Sequence, residues 1–95
     1  MTRGQVERRL RSVSEQLRSL RDDLRVTDEQ LIRLVDEADD ARLRALVSET
    51  PLAEKEHRAA GRHADRLRTH RDKVVAKLSA LEAEQDELLD RLTAS

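Results

Sequence analysis

Ninety-five residues make one domain at most, and a chain that is 41% charged with no Phe, Trp or Tyr has little with which to build a thick globular core. Its charges balance to a formal −1 and its Leu, Val and Ala recur at fixed spacing, which sets it apart from disordered chains of high net charge and no period. With no cysteine, a disulfide framework and a thiolate metal site are both excluded.

The N-terminus, Met1-Thr2-Arg3-Gly4-Gln5, leads straight into a charged helical pattern without an apolar leader, and no run approaches the roughly 20 apolar residues of a membrane span. The expectation is a cytoplasmic protein. From Val6 the apolar positions step by four and three through Leu10, Val13, Leu17, Leu20 and Leu24. They continue through Thr27, Leu31, Leu34, Ala38, Ala41 and Ala45. Such steps define the a/d seam of a coiled-coil helix, with Thr27 as its polar interruption.

The segment Ser48-Glu49-Thr50-Pro51 reads as a turn: Thr50 caps a second helix and Pro51 sits in its first turn, where a missing N–H costs nothing. The second seam runs Ala53, His57, Ala60, Ala64, Leu67 and Arg71, then Val74, Leu78, Leu81, Gln85, Leu88 and Leu92. The predicted fold is all-α, a single helical domain over 1–95 with helices of about 3–47 and 51–93 joined at 48–51. A short connection makes the two helices antiparallel neighbours in a coiled-coil hairpin.

Folding back at this turn sets facing seam residues in layers whose numbers sum to 98, from Val6 with Leu92 to Ala45 with Ala53. Three layers are imperfect, Val13 with Gln85, Thr27 with Arg71 and Ala41 with His57. Thr27, Arg71 and Gln85 are candidate register-setting residues, since a polar group in a seam fixes alignment at a cost in stability. The flanks predict opposite-charge pairs, Asp23 with Lys77, Glu37 with His63, Arg44 with Glu56, Asp28 with Arg68 and Arg42 with Glu54, and one repulsive pair, Arg9 with Arg91. More coarsely, acidic 26–50 opposes basic 53–77, and the basic first turns oppose acidic 78–90. A second architecture also fits. Thr27 and Gln30 match a capping box, with Val26 and Leu31 as its hydrophobic staple, and a break there gives three helices of about 3–25, 28–47 and 51–93.

A two-helix hairpin has a thin core, and scaffolds of this size commonly add a further staple or associate. Apolar residues left outside the seam are Ile32, Val35, Leu43, Leu46 and Val47 on the first helix and Leu52, Val75 and Leu89 on the second. Ile32, Val35, Leu43, Leu46, Val75 and Leu89 form the candidate partner-binding set, with a homodimeric four-helix bundle as the simplest partner arrangement and a further, unidentified protein partner as the next. Val35 is expected beside Gly61, whose missing side chain would let a neighbour approach closely.

Chemistry has little support. His57, His63 and His70 lack the i, i+4 spacing of helical metal pairs, so no metal ligand is assigned. Asp36, Glu37, Asp39 and Asp40 read as a solvated helix face rather than a catalytic pair. There is no phosphate loop and no nucleophile set, so neither cofactor nor enzymatic activity is expected. The basic residues of the second helix are interleaved with acid and accompanied by no aromatic for base stacking, which disfavours nucleic acid. Neither helix has the basic, bulky-apolar pattern of a membrane-surface helix. The expected function is a non-enzymatic coiled-coil interaction or scaffolding module. The alternatives are a regulator that inserts its tip, with Glu49, into a nucleic-acid-processing enzyme, and a metal-binding helical bundle using the three histidines.

Overall fold

The computed structural model describes residues 1–94. Two helices account for nearly all of them, α1 (Arg3–Ser48) and α2 (Pro51–Thr93). The chain is a helical hairpin, as the two seams predict, and α1 passes through Thr27 without interruption.

Why α1 starts and stops where it does is local chemistry. Thr2 accepts the Gln5 N–H on Oγ1 at 3.2 Å, and Gln5 Oε1 accepts the Thr2 N–H at 2.8 Å, a reciprocal capping box. At the other end Glu49 takes a left-handed conformation with φ of 50°, and its N–H reaches the Ala45 carbonyl at 3.1 Å. This is the αL helix stop, built on a glutamate where glycine is usual. Thr50 then caps α2 by accepting the Ala53 N–H on Oγ1 at 3.1 Å, with Pro51 in the first turn.

Contacts divide the chain into two units. The first comprises Met1–Leu24 and the C-terminal segment from Lys73. Val6, Val13 and Leu17 of α1 and Val74, Leu78, Leu81 and Leu88 of α2 form its buried core, with Leu10, Leu20, Leu24 and Leu92 packed against them. A fully buried Leu or Val contributes roughly 1.5–3 kcal/mol relative to exposure, so this unit holds six seam layers rich in such residues.

The second unit, Arg25–Asp72, contains the turn. Thr27, Ala41, Ala45 and Ala64 are buried, while Leu31, Leu34, Ala38, Ala53, His57, Ala60, Leu67 and Arg71 are half-buried. Alanine removes little apolar surface per layer, so this unit gains less from burial. One of its seam residues is a liability: His57 Nδ1 is buried with no hydrogen-bond partner among the described residues. An unpaired buried polar atom costs about 1–3 kcal/mol. His57→Leu is therefore expected to raise the unfolding midpoint in urea, by the equivalent of about 1 kcal/mol; an unchanged or lowered midpoint would show that the imidazole is paired in solution.

Every seam position in both helices is buried or half-buried, the polar ones included.

Candidate interaction surface

Two of the polar seam residues, Arg71 and Gln85, direct their polar ends out of the seam in a common way. Arg71, expected opposite Thr27, carries its guanidinium one residue further and donates from Nε to Asp28 Oδ1. Gln85, expected opposite Val13, likewise donates from Nε2 to Ser14 Oγ at 3.4 Å. Their stems stay over the seam while the polar ends leave it, as amphipathic side chains do. The residues expected opposite them are among the most deeply buried of those described, Thr27 at 2% exposure and Val13 at 0%. Arg71 has its pKa raised above the ordinary guanidinium value, first by the hydrogen bond it donates to Asp28, then by that carboxylate's charge.

The block pattern of charge holds within each unit, but individual partners differ from those predicted. Arg9 forks onto both oxygens of Glu84 through Nε and Nη2 at 2.8–3.1 Å instead of meeting Arg91. That hydrogen bonding, followed by the carboxylate charge, raises the Arg9 pKa. Arg91 turns to Glu87 on its own helix at 3.0 Å, and Arg21 approaches Glu82 at 3.6 Å. Asp28 pairs with Arg71 rather than Arg68, which bonds Asp65 at 2.8 Å, and Glu54 takes Arg58 rather than Arg42. Arginine arms span more than a helical turn, so they select the nearest carboxylate along the groove rather than the residue directly across. Glu37 and His63 line one groove, and Arg44 and Glu56 line another, as their predicted pairing requires of their positions.

Among the residues proposed to bind a partner, Ile32, Leu43 and Leu46 are more than half exposed at 65%, 52% and 63%. Val35 is half-buried. Ile32 and Val35 join Leu31 in lining a groove of about 540 Å³, with Asp28, Asp36 and Arg71 also on its walls. An apolar floor with a charged rim is the usual anatomy of a protein-docking surface. Val75 and Leu89 belong to the other unit and are less open, at 38% and 43%. Gly61 does not serve close packing, since a Cβ placed there meets nothing within 4 Å. The lack of a side chain at this position is therefore not required by any contact within the chain.

Among the described residues no group of three or more His, Asp or Glu side chains is arranged to hold a metal ion. Nor, among the described residues, is any helix long and apolar enough to cross a membrane. The chain matches no family model, no curated protein and no solved structure.

Proposed function

We propose that this chain is a non-enzymatic helical-hairpin module for protein–protein interaction, and that it self-associates, two hairpins forming a four-helix bundle. The observation that carries the reading is the exposure of Ile32, Leu43 and Leu46 beside the groove of Ile32 and Val35. Large aliphatic side chains clustered on one side of a helix are the pattern expected of a covered face, whereas scattered single hydrophobes need no partner. Val75 and Leu89, which belong to the other unit, are a separate and smaller pair of exposed aliphatic side chains. Thr27, Arg71 and Gln85 serve the module by fixing the alignment of its helices, which holds the docking residues in register.

The tip-insertion reading rests on Glu49 alone, and the left-handed backbone there has a sufficient role in ending α1.

Self-association stabilises the folded state by mass action, so the melting temperature should climb as protein concentration rises from ~1 to ~100 µM. A melting temperature that stays constant over that range would overturn the self-associating reading.

A further inference from the structure

We propose that the second copy docks antiparallel on α1, about a two-fold axis that passes at Asp39. This rests on the self-association reading and adds its register. One stripe along the surface of α1 in the turn-containing unit carries Ile32, Val35, Asp39, Leu43 and Leu46, of which Ile32, Asp39, Leu43 and Leu46 are exposed and Val35 is half-buried. Their spacing is three, four, four and three, which reads identically from either end. On a 3.6-residue helix those steps keep all five within one stripe.

A palindromic stripe is the pattern that a two-fold antiparallel contact requires, because such an interface uses the same patch twice, once in each direction. Reflection through Asp39 sets Ile32 opposite Leu46 of the second copy and Val35 opposite Leu43 of the second copy, so each apolar residue meets an apolar residue. Leu46 of the second copy then stands over the groove lined by Leu31, Ile32 and Val35, whose volume of about 540 Å³ is ample for a leucyl side chain.

Charge selects the antiparallel orientation over the parallel one. Among the described residues, Asp36, Asp39 and Arg42 enter no ion pair within their own chain. In the antiparallel arrangement Arg42 of the second copy comes level with Asp36 and lies within a helical turn of Asp39. Asp39 stands level with Asp39 of the second copy in either arrangement, but a parallel one also brings Arg42 level with Arg42 and Asp36 level with Asp36. Like charges set opposite one another are unfavourable, and complementary ones choose the orientation. The antiparallel two-fold therefore sets the two Arg42 side chains, one from each copy, on either side of the facing Asp39 pair.

The chain has no cysteine, so single introduced thiols report this geometry directly. Under mild oxidation Asp39→Cys is expected to give a covalent dimer in more than half of the chains. Ile32→Cys and Leu46→Cys should each stay unlinked alone, since the two positions are roughly 21 Å apart along the helix, but an equimolar mixture of the two should link. Self-linking of Ile32→Cys as efficient as that of Asp39→Cys would overturn the antiparallel register. So would a failure of the Ile32→Cys and Leu46→Cys mixture to link while the same samples sediment as dimers; that mixture keeps Asp39 and decides the matter if Asp39→Cys weakens association. Monomeric sedimentation of the unmodified chain at the same concentration would overturn both the register and the self-association beneath it.

Discussion

Leu17→Ala should lower the unfolding free energy by about 3 kcal/mol, which for a chain of this size corresponds to a fall in Tm on the order of 15 °C. Leu17 is 0% exposed and sits in the core of Val6, Val13, Val74, Leu78, Leu81 and Leu88, so truncation removes its transfer free energy and leaves a cavity. Relaxation is limited because the helices on both sides are held by neighbouring Leu and Val layers rather than by mobile loops. Urea unfolding followed by circular dichroism measures the loss. A change below about 1 kcal/mol would mean that the seam is far looser than the burial of Leu17 indicates.

The double substitution Ile32→Glu with Leu46→Glu should have the opposite profile. Both side chains are more than 60% exposed within the single chain, so the hairpin keeps its helicity when they become charged. If they meet across a dimer, two glutamates facing one another in each of two symmetric layers cost several kcal/mol of association, enough to leave the protein monomeric at ~100 µM. Size-exclusion chromatography with light scattering checks this. Retention of the dimer by the double variant would remove Ile32 and Leu46 from the interface. The two experiments separate what holds the hairpin together from what the hairpin presents.

Much of the fold was legible because seam residues obey a period that few other structures impose. All twenty-four positions read from the four-three steps are buried or half-buried, down to Arg71 and Gln85, whose chemistry alone would have argued for the surface. The turn was legible for a different reason, since Thr50 and Pro51 have specific roles at a helix start and occur together in no other place.

Capping boxes misled where phase did not. The pattern Thr-x-x-Gln occurs twice, at Thr2 to Gln5 and at Thr27 to Gln30. Only the first is used as a cap. Thr27 lies in the seam, and burying it at 2% exposure keeps α1 in phase, which a helix start at that point would forfeit. Tertiary packing overrides a local signal here.

Ion pairs were legible as blocks and not as residues. The sequence places acid against base correctly, but Arg9 and Arg71 choose Glu84 and Asp28 by reach along the groove, a property that heptad letters do not encode. At these half-exposed positions such pairs contribute more to alignment than to stability. A second signal was present in the sequence and needed the fold to give it meaning: the stripe from Ile32 to Leu46 is unspent by the seam, and once α1 is known to be continuous its symmetry about Asp39 becomes a geometric statement.

Sedimentation equilibrium of the unmodified chain over ~1 to ~100 µM is the most direct measurement of whether the exposed face of α1 is covered by a second copy. The expected result is a mass that rises to twice the 10.9 kDa of the single chain. A mass that remains at 10.9 kDa throughout would contradict it.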